Sequence, residues 1–122
     1  MGINQTDLTK VYMSVHQQLQ TALLELEAAM KAANLWRVPT PDVTAFASQE
    51  PFCIDTMSLP QWVRFVFVAR LNALAEAKAP MPAKCEVAPA MAAYLIQEKV
   101  RPSDQWLVVR AFEKVDQLVT EN

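Results

Sequence analysis

Apolar positions recur at steps of three and four in four separate stretches of the chain, the spacing of one face of an α-helix. In the first stretch, Leu8, Val11, Tyr12, Val15, Leu19, Ala22, Leu26, Met30 and Ala33 mark a helix over residues 6–33. Asn34 suits its end, because asparagine tolerates the left-handed conformation of a terminating residue. The second helix opens at Ser58, whose hydroxyl is placed to cap the first turn, with Gln61 completing a capping box. Met57 and Trp62 have the spacing of a hydrophobic staple, and Pro60 falls in the first turn, where its missing N–H costs nothing. This helix is expected to reach 77–79 and stop before the prolines that follow. A short third helix covers about 88–99 with Pro89 at its first position. The fourth follows Pro102, takes Ser103 as its N-cap and runs to about 120 along Leu107, Val108, Ala111, Phe112, Val115, Leu118 and Val119. No alternating run and no two-residue hairpin turn suggests a strand. The pattern predicts an all-α fold, a mostly antiparallel four-helix bundle forming one domain over 1–122.

Between the first two helices lie more than 20 residues holding Pro39, Pro41 and Pro51. Leu35, Trp36, Val38, Val43, Phe46, Phe52, Ile54 and Met57 are too many apolar groups for a disordered segment. An ordered loop that wraps the bundle and closes part of its core is expected.

Composition narrows the functions available. Hydrophobic residues make up 52% of the chain, yet no apolar run reaches the length of a membrane span. The first residues lack the basic start and apolar block of a secretory signal, so the cytoplasm is the expected compartment. Net charge is −2 and the basic side chains are scattered, which argues against direct nucleic-acid binding. Cys53 and Cys85 read as two reduced thiols, and with His16 the only histidine a Cys/His zinc site is not expected. A single glycine, Gly2, excludes phosphate-cradling loops, dinucleotide fingerprints and nucleophile elbows. No cofactor is implied.

Arg70 is the anomaly of the second helix. At 100° per residue it falls among Val63, Val66, Phe67, Ala73, Leu74 and Ala77, on the apolar side. A buried guanidinium needs acceptors, and Asp55, Glu86, Glu113 and Asp116 are the candidate partners. The first expectation is therefore an internal Arg–carboxylate pin. The alternatives are an anchor for an acidic ligand or a partner's carboxylate, which the guanidinium fork suits, and plain snorkelling of the side chain to the surface. Phe65 and Val68 lie among the polar positions and need cover, from the long loop or from oligomerisation. Trp106 is expected to pack on the segment before its helix, with stacking on Arg110 as the alternative. The third helix, free of charge between Glu86 and Glu98 and rich in Ala and Met, reads as a close-packing surface, with an adaptable binding face as the alternative. His16 reads as structural, and Glu25 and Glu27 point to different faces, so no acid–base pair is offered.

The stretch TAFASQEPFCIDTMSLPQWVRFVFVARLNALAEAKAPMPAKCEVAPAMAAY resembles the YqcC-like family of small bacterial proteins. The resemblance rests on Trp36, Phe46, Ser48, Pro51, Phe52, the run 55–57, Trp62, Val66, Phe67, Arg70, Leu71, Pro80–Pro82 and Pro89. The family usually has a proline just before the position of Arg70; this chain has Ala69 there, so a shared proline kink does not carry over. The resemblance implies an all-α bundle with no established activity. It also implies genes beside that of a tRNA pseudouridine synthase, whose name some relatives carry. Such synthases are larger α/β enzymes with a catalytic aspartate in a sheet-built cleft, a scaffold this helical pattern does not supply. The expected function is thus a protein-interaction or accessory module and not an enzyme, with an acidic small-molecule binder anchored by Arg70 as the alternative. Arg70, Asp55, Trp62, Phe52, Trp36 and Trp106 are the candidate binding residues, a protein the expected partner, and self-association remains open.

Overall fold

The computed structural model describes residues 13–121. Among them are four long helices and no strand. Helix α1 spans Val15–Ala32, α3 spans Ala88–Gln97 and α4 spans Pro102–Thr120. Helix α2 is built from three segments that follow without a break, Leu59–Trp62, Val63–Phe67 and Val68–Glu76, of which the middle one is a π turn.

Capping chemistry sets most of the ends. Ser14 accepts from the Gln17 amide at 3.1 Å and donates its own amide to the Gln17 side chain at 3.0 Å, so α1 starts in a capping box. The expected start at Thr6 lies outside the described residues, and at Ser14 the backbone is extended (φ −67°, ψ 160°). The Ser58–Gln61 box opens α2 as expected, and Met57 packs against Trp62 as the staple requires. The first cap of α4 is corrected. Arg101 and not Ser103 is the N-cap, because the residue before Pro102 is pushed out of helical geometry while the proline itself suits the first turn.

Three helices end alike. Asn34 (φ 62°), Lys78 (φ 53°) and Lys99 (φ 56°) adopt the left-handed conformation. The amide after each reaches back to the carbonyl of Met30, Leu74 and Leu95, at 2.8, 3.0 and 3.0 Å. These are Schellman ends made without glycine, using asparagine and two lysines whose amides also satisfy Lys31, Ala75 and Ile96.

Helix α1 packs on α2 and α4, and α3 packs on α4, forming a four-helix bundle. His16 at the start of α1 donates Nε2 to the Ala79 carbonyl beyond α2 at 2.7 Å, so these helices run antiparallel. Cys85, before α3, bonds Thr120 at the end of α4, giving the same relation there. The core runs through all four, with Leu19, Leu26, Met30, Val63, Met91, Leu95, Val108, Phe112, Val115 and Val119 fully buried. Among the described residues the edge between α2 and α3 has no comparable helix pairing.

The long connection closes that edge in part. It contains two 3-10 turns, Val43–Ala47 and Pro51–Cys53, and a small second core of Ala45, Cys53 and Met57 against Trp62. Gln61 donates to the Pro39 carbonyl at 2.9 Å and Arg64 to that of Trp36 at 2.8 Å, fastening the loop to α2. Leu35, Trp36 and Phe52 pack on the main core. Not every apolar loop residue is covered: Val43 is 88% and Ile54 71% exposed.

Candidate binding groove

The open edge is filled by aromatic rings from three elements. Phe52 of the loop meets Trp62 edge-on, with centroids 4.9 Å apart at 75°. Trp62 stacks on Phe67 at 5.3 Å, and Phe67 on Phe112 of α4 at 6.2 Å. The row leads from the surface into the core. At its outer end Phe52 and Cys53 both have left-handed backbone, φ 58° and 48°. Such a conformation costs roughly 1–2 kcal/mol for a residue with a side chain, and it is held by local bonds. The Cys53 amide reaches the Glu50 carbonyl at 3.1 Å, Met57 returns to the Cys53 carbonyl at 3.0 Å, and the Ser48 hydroxyl bonds Asp55.

Phe52 thereby becomes the wall between two open apolar grooves. One, of about 420 Å³, is floored by Trp62, Phe67, Leu71 and Val87 and rimmed by Arg70, Lys84 and Glu86. The other, of about 550 Å³, runs between the loop and α3 and is lined by Ile54, Met57, Leu59, Ala90, Ala93 and Tyr94. Partial burial, and then the neighbouring Glu98, raise the Tyr94 pKa, so its hydroxyl stays protonated as a donor.

Arg70 is exposed, and no carboxylate among the described residues pairs with it. The expected internal pin is overturned, and the π turn is the reason. One extra residue in the turn at Val63–Phe67 rotates everything beyond it by about 100°. Val68, Leu71 and Ala75 face the core, while Ala69, Arg70 and Ala73 face out. The same rotation buries Val68, one of the two residues that needed cover. The other, Phe65, is half-buried beneath Arg64.

Three of the four candidate partners of Arg70 are engaged elsewhere. Asp55 takes the Ser48 hydroxyl, Glu86 faces Lys84 at 3.5 Å, and Glu113 is exposed without an ion pair among the described residues. Asp116 caps α3 from the neighbouring helix. Val87, at the N-cap, has no side-chain oxygen to offer, and Asp116 accepts from the Val87 and Ala88 amides at 3.0 and 2.7 Å. It also accepts from the Cys85 thiol at 3.1 Å, while Thr120 exchanges two bonds with the Cys85 backbone at 3.0 Å. Burial and the adjacent Asp116 push the Cys85 thiol up to about 12, a neutral donor at ordinary pH. Both cysteines are free.

The arginine that fastens the loop is Arg64. Its guanidinium lies 5.1 Å from both the Trp36 and Phe65 rings while bonding the Trp36 carbonyl. Sequence reasoning passed over it because the helical wheel placed it with the polar residues. The structure therefore brings Arg70, Phe52 and Trp62 to one groove, gives Trp36 and Asp55 to loop anchoring, and leaves Trp106 apart. Trp106 is 64% exposed, with the Arg110 guanidinium 5.3 Å from its ring.

Among the described residues no three His, Cys, Asp or Glu side chains gather as a metal site, and no helix is long and apolar enough to cross a membrane.

Comparison with known proteins places the chain. The DUF446 family model, described as tRNA pseudouridine synthase C, matches residues 18–118. The chain belongs to this family. Its DUF446 relatives include protein YqcC of Escherichia coli K12, 29% identical over 110 residues and matched across 90% of this chain and 98% of that one. The solution NMR structure of E. coli YqcC superposes with a TM-score of 0.76 at 30% identity, covering 89% of this chain and 91% of that one. An uncharacterized protein of Haemophilus influenzae is 39% identical over 75 residues, 62% of this chain and 71% of its own length. A protein of Pectobacterium carotovorum named tRNA pseudouridine synthase C is 36% identical over 70 residues, which are 57% of this chain but 19% of that protein.

Proposed function

We propose that this DUF446 chain is a non-catalytic accessory module that binds a tRNA pseudouridine synthase in the cytoplasm. The observation that carries the reading is the Pectobacterium relative, in which a segment like this chain makes up about a fifth of a protein bearing the synthase name. Joining two units in one polypeptide holds them at an effective concentration in the millimolar range, which favours units that work together. The remaining four-fifths of that relative has no counterpart in this chain, so the synthase name does not make this chain a synthase. The helical architecture, with an open aromatic edge between two of its helices, supports a binding role.

The test is to mix the purified chain with the tRNA pseudouridine synthase C encoded in the same genome and follow both by size-exclusion chromatography. Co-elution at micromolar concentration is expected, together with no pseudouridine formed when tRNA meets this chain alone. Separate elution, or pseudouridine made by the isolated chain, overturns the reading.

A further inference from the structure

The open edge also indicates what kind of segment it takes. Arg70 stands exposed at the lip of the groove floored by Trp62, Phe67 and Leu71, with no ion pair among the described residues. The other charges on that rim, Lys84 and Glu86, face each other at 3.5 Å and offset one another. The rim therefore presents one uncompensated positive charge beside an apolar, aromatic floor. A guanidinium in that position matches a carboxylate, which it holds through two parallel bonds.

The shape favours a chain over an enclosed small molecule. The groove is open, and beyond Phe52 lies the second apolar groove along α3. A residue of extended chain spans about 3.3 Å, so a few residues cover both sides of one phenyl ring. We infer that the α2–α3 edge docks an acidic, apolar peptide segment of a protein partner, seating an apolar side chain on Phe52 and Trp62 and a neighbouring carboxylate on Arg70. This inference rests on the partner-binding reading of the chain but not on the identity of the partner.

The test uses the full chain labelled with nitrogen-15 and followed by amide NMR. Three probes are titrated: a short acetylated, amidated peptide with Phe and Leu set between Asp and Glu, its counterpart with Asn and Gln, and sodium benzoate. The acidic peptide is expected to shift the amides of Phe52, Arg70, Leu71 and Val87 at low millimolar concentration or below. The Asn/Gln peptide should bind about tenfold more weakly, and Arg70→Glu, at an exposed position, should abolish the preference while leaving the melting temperature unchanged. Three results overturn the inference: no shifts at the groove from the acidic peptide, equal binding of the neutral one, or benzoate binding as tightly as the peptide. Groove binding of the peptide with no synthase complex would sink the synthase assignment alone. A synthase complex indifferent to Arg70→Glu would sink the groove alone.

Discussion

Arg64 and Arg70 lie six positions apart on one helix, and their environments are opposite to what periodicity implies. Arg64 holds a loop carbonyl between two rings, whereas Arg70 reaches only solvent and the groove. Replacing Arg64 by Ala removes a charge-assisted bond and two ring contacts, and should cost about 1–3 kcal/mol in a urea melt. Arg70→Met should stay within about 0.5 kcal/mol of the parent, since it orphans no buried carboxylate. A loss of 3–5 kcal/mol at Arg70, the figure for breaking a buried pair, would contradict the assignment. Cys85 gives a pH-dependent counterpart. Its pKa in the folded protein, about 12, lies above the ordinary 9.0, so the folded state holds this proton more tightly than the unfolded state. The resulting stability is fully present below pH 9 and is lost as pH rises toward 12. Denaturant midpoints of the parent should therefore fall more steeply over that range than those of Cys85→Ser, whose hydroxyl does not ionise there; parallel curves would contradict it.

At the scale of elements, the π turn is the decisive feature of α2. Deleting the exposed Ala69 should return the helix to its ordinary period, with Val63, Val66, Phe67, Leu71 and Ala75 on one face. The variant should still melt cooperatively, losing mainly the burial of Val68, about 2 kcal/mol. Non-cooperative unfolding would mean that the extra residue holds more of the structure than the register. This is also where the sequence was least legible. The Ser58–Gln61 box, the Met57–Trp62 staple, the Asn34 terminus and the length of α4 follow from chemistry within a few neighbouring residues, and they were readable. No local signal in VRFVF announces the π turn. One unseen residue of rotation was enough to exchange the roles of two arginines. Asp116 was hidden differently. Its capping of α3 joins residues 28 and 29 positions apart, and the sequence shows only that Val87 has no side-chain oxygen to cap with.

For the whole molecule, three helix pairings close three edges of a bundle, and a strained aromatic loop half-closes the fourth. The all-α architecture and the ordered connection were legible in the chain. The open edge was not, because it depends on which helices fail to meet. The proposed accessory role joins that edge to the synthase-named relative. Its most direct test is a calorimetric titration of the tRNA pseudouridine synthase C of the same genome into this chain. A one-to-one complex of micromolar or tighter affinity is expected, weakened about tenfold by Arg70→Glu. Absence of heat and of binding at tens of micromolar, with both proteins folded, would contradict it.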